Sequence, residues 1–465
     1  MNNTNLNTIF ISRDVFSKLF RIDNKPPLCV VYRTISQIVA VLEGDSAEVW
    51  TRIFESNGQF DHALEYILNH GQFTSDPEIE AKQILIEFLD SLESQGIISS
   101  VSNLSSCSLT DSSGFDAGRS TERMINLFMA DNHILFNLVI ELTYRCNEHC
   151  IHCYCPSNRN RQELSTEILC ELILEFESMG GFCLQLTGGE LLIREDIKSL
   201  LNFLCNRGLV ITINSNLNLL DDEHIDLLKK LAPRSLGCSI YSAKAELHDS
   251  VTRSPGSFDR SIRNIQKVRE AGIPVVIKTL LMKHTVYGWE DVEALANRLD
   301  CYYQFDLNIT AKNDGNRQPL DLRVRDEEII KHLFTTRFKR LHQNDEPLEK
   351  SADDPKSTPI CSAGAAGLSI SPNGEIHPCI GLPIKLGRYP KDPIEKVWHN
   401  SPFFESWNKL RLIDIPMCKE CQTVADCFRC PGAWFVENGD VMLPNDYTCF
   451  ISKIAAKASL SHSLC

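Results

Sequence analysis

What the chain lacks narrows it first. No apolar run reaches the ~20 residues that a membrane-spanning helix needs, and the polar start, Met1 to Asn7, is expected to be no secretion signal. Positive charge is not in surplus. With 47 Lys and Arg against 61 Asp and Glu, the formal net charge of −14 argues against nucleic acid as a general partner, though not against a peptide carrying basic residues. The expectation is a cytoplasmic protein with neither a membrane nor a nucleic acid among its partners.

Hydrophobic content of 43% and charge content of 23% are those of a globular protein, and 465 residues exceed one ordinary domain. Cysteine is abundant: there are 19, an odd number, which without a secretion signal points to reduced thiols and metal binding rather than disulfides. Ten of them fall into two patterned groups, three near residue 150 and seven toward the C-terminus. Most of the rest, including Cys29, Cys170, Cys183, Cys205, Cys238 and Cys301, sit in apolar patterns and are expected in the core.

The stretch around which the chain is organised is Cys146-Asn147-Glu148-His149-Cys150-Ile151-His152-Cys153. It follows an apolar run, Ile134 to Leu142, that reads as a buried strand. Thiolates suit iron–sulfur clusters or zinc. A loop this tight wraps three corners of a [4Fe–4S] cube and leaves one iron open for chemistry. The alternative is a structural zinc borrowing a ligand from His149, His152 or Cys155, although closed zinc sites usually pair two-residue gaps. Further on comes a strand, then Thr187-Gly188-Gly189-Glu190, then a helix.

With these motifs the sequence resembles the radical S-adenosylmethionine (SAM) enzymes. The resemblance implies a [4Fe–4S] cluster on Cys146, Cys150 and Cys153, with His152 packing near the adenine and Gly188, Gly189 and Glu190 at the methionine amino group. It implies an α/β fold, a partial (β/α)6 barrel, expected over 134–312. Strands are read at 136–142, 183–187, 209–214, 236–241, 274–280 and 303–309. Helices between them are read at Glu167–Met179, Asp196–Asn206, Asp222–Leu231, Phe258–Ala271 and Trp289–Leu299. At the strand ends, Asn214 and Ser215 are expected at the SAM ribose and Ser239 at its carboxylate. Arg253 or Arg260 would pair with that carboxylate, Arg253 being preferred.

Residues 1–100 read as a separate winged-helix-like α+β domain. Its hairpin is Leu28–Tyr32 with Ile38–Leu42, and its amphipathic helices are Ala47–Glu55, Phe60–Asn69 and Pro77–Gln95, the last ended by Gly96. The domain is similar to the peptide chaperone of pyrroloquinoline quinone biosynthesis, in which a leader peptide adds a strand to an open sheet edge. Residues 101–133 read as a Ser/Asp/Gly-rich linker with an incidental Cys107. Residues 313–358 read as a polar bridge with a helical patch at Asp326–Leu341.

The last part, 359–465, carries Cys361, Cys379, Cys418, Cys421, Cys427, Cys430 and Cys449. Seven thiols are too few for two fully thiolate-ligated cubes and too many for one zinc, while the CxxC pairs alone also suit a zinc ribbon. The order resembles the SPASM domain, the auxiliary-cluster extension of peptide-modifying radical SAM enzymes. That resemblance groups Cys418, Cys421, Cys427 and Cys449 on one auxiliary cluster, and Cys361, Cys379 and Cys430 on a second, both expected to be [4Fe–4S] cubes, the second without an obvious fourth cysteine. The two-residue gap before Cys430 departs from the family's usual three.

Together the resemblances imply an oxidoreductase that matures a ribosomally made precursor peptide. Its 5′-deoxyadenosyl radical would abstract hydrogen, and its product would be a thioether or other crosslink. The implied partners are a leader-bearing precursor bound by residues 1–100 and an external electron donor such as flavodoxin or ferredoxin. The alternatives are a sulfatase-type or cofactor-pathway maturase, a peptide epimerase, or a zinc-binding adaptor without catalysis.

Overall fold

The computed structural model describes residues 14–22, 25–34, 36–98, 113–159, 162–344, 355–424 and 427–460. The polar start, Cys107 with the first part of the linker, and the stretch 345–354 of the expected bridge lie outside the described residues.

The chain opens with an antiparallel sheet in the order β1-β2-β3, formed by Val15–Phe20, Leu28–Arg33 and Ile38–Glu43. Its first strand has no counterpart in the hairpin read from sequence, because Val15–Phe20 shows no strict alternation: its burial runs from a covered Val15 through four half-covered residues to a covered Phe20. Helices α1 (Asp45–Glu55), α2 (Asp61–His70) and α3 (Pro77–Ser94) follow and cover one face of the sheet. Trp50, Ile53, Phe60, Leu85 and Leu92 fill that core with Cys29, Val31 and Leu42. The Asp76 carboxylate caps α3 by accepting from Glu78 N at 3.0 Å. At its other end Ile97 N–H reaches back to Leu92 O at 2.9 Å, and Ile97 is buried.

The segment read as linker is a correction. Helix α4 (Ser113–Asp131) occupies most of its described part. Ser, Asp and Gly dominate its start and mask the helical spacing of Ile125 and Met129, both of which are buried.

Six parallel strands then alternate with helices: β4 (Asn137–Glu141), α5 (Thr166–Ser178), β5 (Cys183–Thr187), α6 (Ile197–Leu204), β6 (Val210–Asn214), α7 (Asp222–Leu231) and β7 (Ser235–Ser239). The series continues with α8 (Ala245–Thr252), α9 (Ser257–Glu270), β8 (Val275–Leu280), α10 (Trp289–Arg298) and β9 (Tyr302–Asp306). Each strand pairs with the next in parallel, as repeated β–α crossovers demand. Helix α11 (Glu327–Asn344) leads onward.

The sheet does not stop at β4. Strand β10 (Gly367–Ile370), from the cysteine-rich region, pairs in parallel with β4, and β11 (Glu375–His377) and β12 (Gly387–Arg388) extend it antiparallel. Nine strands therefore run β12-β11-β10-β4-β5-β6-β7-β8-β9, with β9 as an open edge. The remaining helices are α12 (Ile394–Asn400), α13 (Pro402–Trp407), α14 (Pro416–Lys419), α15 (Pro431–Asn438) and α16 (Asp446–Leu460). Helix α16 packs on α11 through Tyr447, Ile451, Ile454, Ile330 and Leu333. Arg323 and Glu437, both buried, pair beside it, Nη1 to Oε2 at 3.0 Å.

The second face of the N-terminal sheet is buried against the barrel. Phe20, Val30 and Tyr32 meet Phe136, Phe182 and Val210, which stand at the entry to β4, β5 and β6, and Ile125 and Met129 of α4 complete the seam. Tyr32 and Phe182 lie edge to face at 5.7 Å. Gln37 Nε2 donates to Arg234 O at 2.6 Å and Thr34 Oγ1 to Ala232 O at 3.1 Å across the rim of this seam. Among the described residues, no helix is long and apolar enough to cross a membrane.

Candidate active site and auxiliary cysteine centre

The cysteine loop leaves the C-terminal end of β4, where ligand sites of such sheets form. It is braced from two sides. On one side it is zipped by backbone bonds to the turn after β5: Leu142 N to Thr187 O (2.9 Å), Gly189 N to Thr143 O (2.6 Å) and Glu190 N to Arg145 O (2.9 Å). This contact is what demands the two glycines. A Cβ on Gly188 would lie 2.3 Å from Thr143 O, and one on Gly189 would lie 2.2 Å from Arg145 O. Gly188 also has φ 135°, which side-chain-bearing residues avoid. The buried Arg194 adds a clamp, donating to Leu142 O (2.8 Å) and Leu164 O (3.0 Å).

On the other side the loop lies against the end of α8, with His149 N bonded to Thr252 O (2.9 Å) and Ile151 N to Val251 O (3.0 Å). Glu148, inside the motif, is buried and draws three neighbours together. It accepts from Asn218 Nδ2 at 2.7 Å, from Ser257 Oγ, and from Cys150 Sγ at 3.5 Å. Burial raises its pKa. Behind Ser257 stands His248 at 3.4 Å, whose ring stacks on Tyr241. Glu148, Asn216, Asn218, Ser257 and His248 were not singled out from sequence. The signals available were an acid inside the cysteine motif and the run Asn214-Ser-Asn-Leu-Asn218, in which a strand end carries three amides.

Glu190 is wholly buried and accepts from Leu192 N (2.9 Å), Ser215 Oγ (2.8 Å) and Asn216 N (2.7 Å). Burial pushes its carboxyl up to about 7 despite these donors. Ser215 is thereby turned to Glu190. Asn216 reaches Asn147 Oδ1 at 2.8 Å and comes within 3.9 Å of Cys146 Sγ. Asn214 accepts from Lys278 Nζ at 2.7 Å, across Gly237 of the intervening strand. Ser239 ends β7, with Tyr241 as its hydroxyl partner. His152 meets Tyr241 edge to face at 4.7 Å, and its Nε2 is buried with no partner. Burial lowers its pKa to about 4, so the ring is neutral. Arg253 lines a cleft of about 660 Å³ with His149, Cys150 and Lys312. Arg260 instead donates to Pro255 O (3.1 Å) and Ser254 Oγ (3.2 Å).

The thiols themselves are chemically suited to metal. Burial raises the Cys146 thiol to about 12 and also lifts the Cys150 thiol well above its ordinary value, so each becomes a thiolate only where a cation compensates. Cys155, read from sequence as a zinc alternative, hydrogen-bonds Cys153 and makes Cys153 the more acidic of the two; Arg159 and Lys312 favour the same direction. Among the described residues no three His, Cys, Asp or Glu side chains converge as closely as one metal ion requires. Thiolates on separate irons of a cluster stand farther apart. The unpartnered His152 Nε2, the three grouped thiols and the glycine turn fit SAM and a [4Fe–4S] cluster.

In the C-terminal region the fold gathers distant thiols into two groups. Cys361, Cys379 and Cys430 feel one another's charge, as do Cys418, Cys421, Cys427 and Cys449. Burial raises Cys361 and Cys418 each to about 11. One close approach makes the first group: a Cβ on Gly432 would lie 2.1 Å from Gly381 O, so the turn after Cys379 rests on the start of α15 beside Cys430. Of the cysteines expected in the core, Cys29, Cys238 and Cys301 are buried, while Cys170, Cys183 and Cys205 are half-buried at its margin.

Comparison with known proteins identifies these two centres. The radical SAM superfamily matches residues 140–299, and the iron–sulfur cluster-binding SPASM domain matches residues 361–428. The chain carries a radical SAM domain joined to a SPASM domain and is an enzyme of that class. Its cofactors are SAM, the [4Fe–4S] cluster of the radical SAM domain and the auxiliary iron–sulfur clusters of the SPASM domain.

It is similar to the AdoMet-dependent heme synthase of Methanosarcina barkeri, 27% identical over 332 residues, covering 66% of this chain and 94% of the relative. It is also similar to the antilisterial bacteriocin subtilosin biosynthesis protein AlbA of Bacillus subtilis, at 24% identity over 57% of this chain and 60% of AlbA. In fold it matches Streptococcus suis SuiB bound to its precursor peptide SuiA, with TM-score 0.62 and 17% identity, over 95% of this chain and 99% of SuiB.

Proposed function

We propose that the protein is a peptide maturase: it holds a ribosomally made precursor by its N-terminal module and installs a thioether or other crosslink. The observation that carries this reading is the N-terminal sheet and its helices. The fold shared with SuiB, a protein solved with its precursor peptide, extends over 95% of this chain and so includes that module. The sheet keeps β1 and β3 as edge strands, and an edge strand is where an extended leader adds its own. This is the role the module shares with the pyrroloquinoline quinone chaperone in our reading.

In this reading Cys146, Cys150 and Cys153 hold the cluster. Gly188, Gly189, Glu190, Asn214, Ser215, Ser239 and Arg253 receive SAM, and His152 faces its adenine. When bound, the cofactors supply one-electron SAM cleavage and removal of a hydrogen atom from an unactivated C–H. The chain's part is placement. The zip between Thr143 and Gly189 sets the cysteine loop against the SAM turn, and the buried Glu190 ties that turn to β6 through Ser215 and Asn216. Cys418, Cys421, Cys427 and Cys449 would hold one auxiliary cluster, and Cys361, Cys379 and Cys430 the other, which with three cysteines could also take a substrate thiolate. A flavodoxin or ferredoxin supplies electrons.

A second reading, chemistry on a tetrapyrrole, is favoured by the heme synthase relatives, which match 66% of this chain. The discriminating experiment is anaerobic incubation of reconstituted enzyme with SAM, reductant and either a short peptide encoded beside its gene or Fe-coproporphyrin III, the tetrapyrrole in the name of another similar Methanosarcina barkeri protein. Loss of two hydrogen masses from the peptide, dependent on the N-terminal module, is expected. Conversion of the porphyrin with no change in any such peptide would replace the first reading by the second.

A further inference from the structure

The protein is strongly acidic, yet the cleft beside the cysteine loop is basic. Against the formal charge of −14, this cleft of about 660 Å³ is lined by Arg159, Arg253 and Lys312, with Asp321 the one carboxylate in its lining. A second nearby acid, Asp314, accepts from Ser157 N at 2.6 Å and also feels the charge of Lys312, so two carboxylates stand near the three cations. Two of these cations have polar neighbours that orient them. Arg159 Nη1 donates to Glu148 O at 3.1 Å, and Lys312 Nζ approaches Ser157 Oγ at 3.5 Å. The walls are fixed as well, since Asn313 N donates to Tyr154 O at 2.9 Å and joins the segment after β9 to the cysteine loop. Cys150 and Ile151 form part of the lining, so a chain seated here lies next to the reacting centre.

Cations fixed around a concave site focus its field and favour an anionic ligand even when the rest of the surface repels one. Guanidinium and ammonium groups select carboxylates, the guanidinium in a planar, paired geometry. We propose that this cleft grips an acidic stretch of the precursor peptide, its carboxylates facing Arg159 and Lys312. This rests on the peptide-maturase reading and adds to it a substrate preference. The acidity of the whole chain does not describe the potential at this one mouth.

The test uses reconstituted holoenzyme saturated with SAM and fluorescein-labelled octapeptides of alternating Glu and Ala, with Gln–Ala and Lys–Ala peptides as controls, read by fluorescence anisotropy. The Glu–Ala probe is expected to bind best and to weaken with added salt. Lys312→Gln should weaken it by about tenfold and the pair Arg159→Gln with Lys312→Gln by more. Lys312→Glu should shift preference toward the Lys–Ala probe, a reversal that mere loss of structure cannot produce. Melting temperatures of the variants check that each is folded. Equal binding of the Gln–Ala probe, or an unchanged Glu–Ala Kd in folded Lys312→Gln, overturns the inference. So does displacement of the probe by Fe-coproporphyrin III at lower concentration than by free peptide, which assigns the cleft to a tetrapyrrole. These outcomes are separate from failure of the maturase reading itself, which shows as unaltered peptide mass in the incubation above.

Discussion

At the N-terminal end of the barrel strands, Phe136, Phe182 and Val210 are covered by Phe20, Tyr32, Ile125 and Met129. At the C-terminal end, Glu141, Glu148, Glu190 and Arg194 are buried beside the half-buried Cys146, Cys150 and Cys153 of one loop, held by backbone contacts that only glycine permits. The first end removes apolar surface from water, roughly 1.5–3 kcal/mol for each large side chain. The second end buries carboxyls against their preference and holds them with hydrogen bonds. Stability and chemistry are thus placed at opposite ends of the same strands, the division expected of barrels whose loops, not their floors, carry the reaction. It also fixes the N-terminal module beneath the barrel, at the end of the strands away from the cysteine loop.

Three substitutions probe that division. The largest effect is expected from Cys150→Ala, at the reacting end. It should abolish 5′-deoxyadenosine formation and remove about four irons per chain, while the melting temperature of the iron-free protein stays close to that of the parent. Iron analysis and mass spectrometry read the two arms. Retained SAM cleavage would remove this loop from the chemistry.

The opposite pattern is expected from Phe182→Ala. This ring is buried between Tyr32 at 5.7 Å and Phe136 at 5.8 Å. Its loss should cost about 3–5 kcal/mol in denaturant unfolding, with 5′-deoxyadenosine formation per folded molecule preserved. A stable Phe182→Ala protein would mean that the seam is not what holds the module.

The smallest effect tests whether the reacting end is a stability cost. Glu141, buried and bonded by Tyr144 (3.1 Å) and Tyr154 (2.8 Å), has its carboxyl pushed up to about 7 by burial. A raised carboxyl favours folding fully below the unfolded value near 4.5, and that contribution is lost as pH rises through 7. Relative to Glu141→Gln, the parent should lose up to about 3 kcal/mol between pH 4.5 and 8. Unfolding curves of iron-free protein across that range give the difference. A flat difference would show that the carboxyl is not desolvated.

Much of this organisation is legible in the residues, and the exceptions share a cause. The strand–helix alternation of 137–306 follows from short apolar runs between amphipathic helices, and the structure places the elements read there within three residues of the patterns, adding the short helix α8 that the patterns did not give. The cysteine loop is legible because all its thiols lie on one short segment. Helix α4 was not, because its Ser- and Gly-rich start resembles a tether and its buried face, Ile125 and Met129, makes sense only against the barrel floor. Glu148 was passed over because a single acid in a loop has no period, and its importance appears only when Asn218 and Ser257 arrive from other elements.

The sequence by itself determined which chemistry is at hand: local spacing of thiols and glycines is a property of the chain, and so is the order of strands and helices. Tertiary structure decided what no local pattern encodes. It joined β10 to β4, so that the cysteine-rich region continues the barrel sheet. It sorted seven separated cysteines into two groups, turned Ser215 and Asn216 toward Glu190, and gathered Arg159, Arg253 and Lys312 around one cleft of an acidic protein. Each of these is a meeting of residues far apart in the chain. Such meetings are set by packing and by the need to pair every buried polar group, which operate in space and not along the sequence.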